Sequence, residues 1–316
     1  MRVFLTGATG YVGSNLALQL LRKPEIKELT LLVRNQEKAI RLLQQLHPFR
    51  DRIKFACGDL EYAASLQLDY DVIIHAAAVR IPESNNSPEV AIQVNLLSTL
   101  NIIQQAQRSG AGFFIFLSTQ AVYDFKNNSL PVGEYGLVKP EGIYAFTKFA
   151  VEQWLQNKVP KNSMRWAALR LSKVYGLGLN TPWDQLVGKF CLEASRGGQI
   201  KVWNGDNEYD LVHIRDVTDF VINLIYQPDG IWNQVYNVGG GMLCTVDQLA
   251  ETCRSAAVEL GLTPPQIIHK QDPNAEEQHF FLDIAKALDE LGWKPRVSLH
   301  QGVKELISAA ARGSGG

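Results

Sequence analysis

The sequence predicts an α/β fold: a doubly wound parallel sheet, with a smaller, mostly helical domain folded over its carboxyl edge. Three observations carry that prediction. Short runs that are apolar throughout alternate with helical patterns across the first half. A glycine-rich turn, Gly7-Ala8-Thr9-Gly10-Tyr11-Val12-Gly13, joins the first apolar run to the first helical pattern. After about Gly176 the rhythm changes to helical patterns joined by longer connections bearing Gly and Pro.

Taken in order, Arg2–Thr6 predicts a strand and Gly13–Leu21 a helix stopped near Pro24. Leu29–Val33 follows as a strand, then a helix over Gln36–Leu46 with Asn35 as its cap. Ile53–Ala56 and Val72–Ala76 are the next strands. Ser87-Pro88 then opens a helix in the cap-plus-first-position arrangement, and it runs to about Gln107. Phe113–Ser118 is the fifth strand, Ile143–Leu155 a helix and Trp166–Leu171 the sixth strand. Such a sheet places its ligand beyond the carboxyl ends of its strands.

In the second half, helices are expected at Asp184–Ser195, Val217–Ile225, Val246–Leu260 and Leu299–Ala310. Thr245-x-x-Gln248 and Ser298-x-x-Gln301 have the form of capping boxes. Val235–Val238 is expected to return to the sheet. The resulting division gives residues 1–176, with 211–240 returning to them, as the dinucleotide-binding domain. Residues 177–210 and 241–312 form the substrate domain, and 313–316 a disordered tail.

Composition narrows the partners. Lys and Arg number 31 against 32 Asp and Glu, so no basic excess draws in nucleic acid or an anionic membrane. The longest apolar runs are strand-length, too short for a membrane helix, and the early glycine at position 7 leaves no signal-peptide region. Cys57, Cys191, Cys244 and Cys253 lack a C-x-x-C pair, and they fit buried small hydrophobes in a reducing, cytoplasmic compartment. The six histidines are scattered and no metal site is expected; His75 and His213 fit packing roles near strand ends.

The glycine turn is where chemistry enters. A backbone turning at a sheet edge must approach a pyrophosphate closely, with the first amides of the helix directed at it. Its spacing is G-x-x-G-x-x-G, and its position between strand and apolar helix points to a dinucleotide. At the end of the second strand, where an acidic residue would bind the 2′-hydroxyl of NAD, stands Arg34. A guanidinium there suits a 2′-phosphate, so NADP is favoured over NAD. Asp59, after the third strand, is placed to accept from the adenine amino group.

Tyr144 and Lys148 lie four apart on a predicted helix and so project from one face. A phenol titrates near pH 10, and a nearby ammonium favours its ionised form. Tyr135 and Lys139 share this spacing, but Pro140 disfavours helical geometry at Lys139. Ser118-Thr119 closes the fifth strand at the carboxyl edge, where a hydroxyl can donate to a reacting oxygen.

Together with His75-Ala76-Ala77-Ala78, Asn95, Leu169–Gly176, His213–Val217, Tyr236–Gly239 and Leu291–Pro295, these residues make the chain resemble the extended short-chain dehydrogenases/reductases, the epimerase/dehydratase-like group. The resemblance covers nearly the whole chain. It implies a Rossmann domain, with Thr119, Tyr144 and Lys148 as catalytic residues. Tyr144 falls at the family's usual distance beyond Thr119, which discards Tyr135. Cofactor contacts are implied for Gly7, Thr9, Gly10, Tyr11, Val12, Gly13, Arg34, Asp59, Leu60, Ala76, Ala77, Ala78, Asn95, Lys148 and Val174. Substrate contacts are implied at Val79, Arg80, Gln120, Lys173 and Tyr209. A homodimer through the helices at about Pro88–Gln107 and Ile143–Leu155 is implied as well.

Departures from the family pattern narrow the reaction. Dehydratases and decarboxylases place an acidic residue after the catalytic hydroxyl, and Gln120-Ala121 stands there instead. Nucleotide-sugar enzymes usually carry an arginine where Tyr209 precedes Asp210; Lys173, Lys189 or Lys201 could substitute, although each also fits ordinary solvated surface. The leading expectation is an NADP(H)-dependent oxidoreductase acting on a secondary alcohol or ketone. A nucleotide-sugar 4-epimerase with tightly held NAD is the alternative. A non-catalytic NADP-sensing regulator is the third reading, and the intact Thr119, Tyr144 and Lys148 count against it.

Overall fold

The computed structural model describes residues 1–60, 65, 67–81, 83–160, 163–272 and 277–314. Its strands are β1 (Arg2–Thr6), β2 (Glu28–Val33), β3 (Ile53–Cys57), β4 (Val72–His75), β5 (Phe113–Thr119) and β6 (Arg165–Leu171) in the first half. They continue as β7 (Lys173–Tyr175), β8 (Gln199–Trp203), β9 (Glu208–His213), β10 (Gln234–Val238), β11 (Leu243–Thr245), β12 (Gln266–Lys270) and β13 (His279–Phe280). Seven of these form one parallel sheet in the order β10-β6-β5-β4-β1-β2-β3. β10 joins its edge, as expected of Val235–Val238.

The apolar runs are explained by burial on both faces. Val3 and Leu5 pack into one core layer and Phe4 into the other, and Ile74 and Ile73 divide in the same way. With a side-chain period of two, a strand covered on both faces needs apolar residues at every position. Parallel register then aligns the carboxyl ends, pairing Thr6 with His75, His75 with Phe116 and Thr119 with Leu171. His75 is fully buried, bracketed by Thr6 and Thr99 at 2.9 Å each, and burial holds it neutral with a pKa lowered to about 3.

Several elements differ from the expectation. The helix expected over Gln36–Leu46 ends at Leu42, and Gln44–Arg52 tightens into 3-10 turns containing Pro48. Proline there has no N–H for the carbonyl four residues back. The helix from Pro88 is α-helical only to Ala91, widens into a π-helical stretch over Ile92–Ser98, and resumes at Thr99–Arg108. Ser87 makes no side-chain cap bond there. Thr245 and Gln248 complete both bonds of their capping box. Ser298 accepts from the Gln301 amide, but the Gln301 side chain turns to Glu305, so that box is half made.

The carboxyl-terminal region keeps its expected helices at Leu186–Ser195, Val246–Glu259 and Leu299–Ala309, around a core of its own. It also carries strands that the helical reading did not place. β11, β9 and β13 form a sheet that β7 joins through β9, and β12 pairs with β8. Cys57 corrects the cysteine reading: it is exposed on an edge strand, while the other three are buried. Ala310–Ser314 continues the last helix as a kinked π-helical turn, and residues 315–316 lie outside the described ones. No helix among the described residues is long and apolar enough to cross a membrane.

Candidate active site

The glycine turn packs onto the end of β4. Gly7 has a φ of +71°, and a Cβ there would stand 2.7 Å from the backbone of Ala76 and Ala77. At Gly13 a Cβ would run into the Gly7 carbonyl, so no side chain fits where the loop crosses itself. Gly10 is the N-cap of helix Tyr11–Leu21 and supplies no side-chain cap bond. The first amides of that helix are therefore left to the adjoining cleft, with the positive end of its dipole.

That cleft encloses about 760 Å³. It gathers Gly7, Thr9, Gly10, Tyr11, Val12, Gly13, Arg34, Asp59, Leu60, Ala76, Ala77, Ala78, Val79, Arg80, Thr119, Tyr144, Lys148 and Val174 along one wall system. Residues from seven places in the sequence thus meet at the carboxyl edge of the sheet. Leu117, Ser118, Ser172, Asn180, Thr181, Pro182, Asp184 and Gln185 also line it.

Four expected site residues stand elsewhere. Asn95, on the π-helical stretch, is buried and clamps Val79, accepting from its amide at 2.7 Å and donating to its carbonyl at 2.9 Å. It shapes the turn after β4 and does not line the cleft. Gln120 is buried behind Thr119, its Oε1 without a hydrogen-bond partner. Lys173 sits with Nζ 3.3 Å from the centre of the Tyr209 ring, and burial lowers its pKa to about 8, so it is not solvated surface. Tyr209 stacks on Phe280 and donates to Gln278 at 2.7 Å, beside a separate cavity of about 550 Å³ that also holds Lys201 and Trp203. Lys189 is exposed, as ordinary surface.

Tyr144 and Lys148 share the cleft wall as one face of helix Gly142–Lys158. The Lys148 ammonium donates to the Leu117 carbonyl at 2.7 Å and stands 6.0 Å from the centre of the Tyr144 ring. The expectation that this lysine draws the phenol down is not met. Burial pushes the Tyr144 hydroxyl up to about 12, and the cation opposing that shift is Arg80. Lys148 itself is lowered to about 7, because burial disfavours its charge more than Glu152 favours it. Thr119 accepts from the Ala121 amide through Oγ1 at 3.2 Å, which leaves its own O–H free to donate.

Sequence reading missed the support beneath this set. One turn beyond Lys148, Glu152 is buried and receives Arg170 through three nitrogen–oxygen contacts of 2.6 to 3.2 Å, and Ser118 donates to it as well. Arg170 also covers the Tyr123 ring at 4.6 Å, and Tyr123 donates to Asn237 at 2.7 Å. Charged residues inside an otherwise apolar helix and strand were the available signal.

A glycine-cradled helix start and a tyrosine–lysine pair along one cleft of a parallel sheet define a dinucleotide-dependent oxidoreductase of the short-chain type. The model of the NAD dependent epimerase/dehydratase family matches residues 3–239, and the chain belongs to that family. The putative UDP-glucose 4-epimerase of Methanocaldococcus jannaschii is 24% identical over 97% of this chain and 97% of its own. Among solved structures, UDP-glucose 4-epimerase of Thermus thermophilus in complex with NAD superposes with a TM-score of 0.80 at 22% identity, covering 99% of this chain and 100% of that one. RMD from Pseudomonas aeruginosa with NADPH gives 0.78 at 24%, covering 98% and 99%. These superpositions establish the Rossmann fold. The chain is accordingly an extended short-chain dehydrogenase/reductase enzyme working with a nicotinamide cofactor.

Proposed function

We propose that the protein transfers hydride on a secondary alcohol/ketone pair, with Tyr144 as acid/base and NADP(H) as cofactor. The observation that carries this is the meeting of Thr119, Tyr144 and Lys148 with the glycine loop in one cleft. The missing helix cap at Gly10 and the tight turn that Gly7 and Gly13 allow fit a dinucleotide pyrophosphate. Asp59 and Leu60 would hold the adenine side, and Lys148 and Val174 the nicotinamide side. Arg34 favours NADP: it is exposed at the cleft beside Asn35, and has no ion-pair partner among the described residues.

When bound, the cofactor supplies hydride chemistry at its pyridine ring. The chain supplies the proton. In reduction the Tyr144 hydroxyl donates to the carbonyl oxygen, and Thr119 steadies that oxygen with its free O–H. Arg80 offsets the phenolate charge as the proton leaves, and Lys148, held at Leu117, fixes the cofactor-facing side of the helix. In oxidation the same proton returns to Tyr144.

A nucleotide-sugar 4-epimerase is the second reading. The cavity beside Tyr209 favours it, because Trp203 and Tyr209 offer ring faces there next to the amides of Asn207 and Gln278. Purified enzyme assayed with NADPH or NADH and a panel of ketones and nucleotide sugars tests both. Net nicotinamide consumption with a ketone, stronger with NADPH, supports the first. Cofactor retained through purification, with sugar turnover and no net absorbance change, overturns it for the second. Val90, Leu97 and Phe146 stay exposed on the helices assigned to a homodimer. We propose pairing there, which sedimentation analysis of wild type against Phe146→Glu would test: a monomeric wild type removes it.

A further inference from the structure

A third cavity, of about 610 Å³, shares Asn180 and Thr181 with the catalytic cleft. Three arginines from distant parts of the chain line it: Arg22 after the first helix, Arg215 near the start of helix Ile214–Ile225, and Arg312 in the turn that continues the last helix. No Asp or Glu is among the residues lining it. In a chain with a net charge of -1, that is a local excess of positive charge.

These guanidinium groups are underused. Arg22 makes one long bond of 3.4 Å to Gln19, and Arg312 has no ion pair among the described residues. Arg215 gives Nη2 to Glu305 at 2.7 and 2.9 Å, while its Nε is buried without a partner. Like charges that face one cavity repel each other, so the arrangement costs stability unless an anion enters. Guanidinium forks match phosphate oxygens in pairs. Trp183 and Leu18 supply apolar wall for an organic body, and the volume suits a small molecule.

We propose that this cavity is a second anion site, distinct from the catalytic cleft, which takes a small organic phosphate or diphosphate. The loop between the two cavities lies against both sites. Asn180 donates to the Thr9 carbonyl of the glycine turn at 3.2 Å, and Asn15 binds Leu179 through both its carbonyl and its amide. An anion that moves this loop changes cofactor affinity, and by linkage the cofactor changes anion affinity by the same factor.

The test is calorimetric titration of the enzyme saturated with its nicotinamide cofactor, so that the phosphate positions of the main cleft are filled. Inorganic pyrophosphate and glucose 1-phosphate are the probes. One equivalent should bind, more weakly as salt is added. Both Arg22 and Arg312 are exposed, so the double variant R22Q/R312Q should keep its melting temperature and cofactor affinity. Its anion affinity should fall about tenfold or more. A fluorescence change on binding should be lost in Trp183→Phe. Neither probe binding the loaded wild type would overturn the proposal. So would unchanged affinity in R22Q/R312Q, which would put the anion in the catalytic cleft.

Discussion

The central strands and the strands of the carboxyl-terminal region are buried in different ways. β4 is buried at all four positions, whereas β8 alternates exposed and buried along its length. The first pattern belongs to a sheet covered on both faces, the second to a strand with one face in solvent. The difference extends to function. In the sheet, parallel register brings strand ends together, so residues at the ends of β1, β4 and β5 share a cleft. In the carboxyl-terminal region, Lys173, Tyr209, Gln278 and Phe280 meet through packing of short strands from distant segments.

If the sheet edge holds the chemistry, the largest effect should come from Tyr144→Phe. Turnover should fall by about 10²–10⁴-fold with cofactor affinity retained. Steady-state kinetics paired with a cofactor titration checks this, and wild-type turnover in the variant would break the assignment.

The buried Glu152–Arg170 pair should come next. The two side chains are 1% and 4% exposed, so Glu152→Ala leaves an uncompensated charge and should cost about 3–5 kcal/mol in denaturant unfolding. Its counterpart in the other region, Glu251–Arg254, is about half exposed on both sides, and Arg254→Ala should cost at most about 1 kcal/mol. Equal losses would erase the contrast between the regions.

Lys148 gives the contrast a pH signature. Its pKa of about 7 in the fold lies below the ordinary 10.5, so between these values the unfolded chain binds more protons. Its contribution therefore makes stability rise with pH from about 7 to 10.5, and Lys148→Met should flatten that part of the curve. Arg80→Gln should move the Tyr144 ionisation further up, seen as an upward shift in the pH profile of alcohol oxidation. A profile unmoved by the variant would remove Arg80 from the proton step.

The smallest effect belongs to the helix cap of the carboxyl-terminal region. Thr245→Ala loses one side-chain bond of its capping box and should cost about 1 kcal/mol, read as a small drop in unfolding midpoint. A loss as large as that of Glu152→Ala would mean that the cap holds more than one helix end.

Much of the site was legible because its residues are local to strand ends and turns. Gly7–Gly13, Arg34, Asp59, Thr119 and the Tyr144–Lys148 pair could each be placed by an apolar run or a helical spacing beside it. The return of Val235–Val238 to the sheet follows the same logic, whereas the strand order and the edge place of β10 come from the packed structure. The family resemblance implies a cofactor contact for Asn95, and its clamp on Val79 is visible only in the packed structure. Gln120 faces inward for a similar reason: the 3-10 turn after Thr119 buries it, and nothing in its neighbours' spacing marks that turn.

By itself, then, the amino-acid order determined a doubly wound sheet, its glycine turn and the helix face that bears tyrosine and lysine. Those depend on hydrophobic period and on backbone rules that act over a few residues. Tertiary packing decided which cation sits near the phenol, which carboxylate anchors Arg170, and which arginines crowd one cavity. Such pairings join residues far apart in the chain, and their strength is set by burial and distance, which no short window of sequence contains.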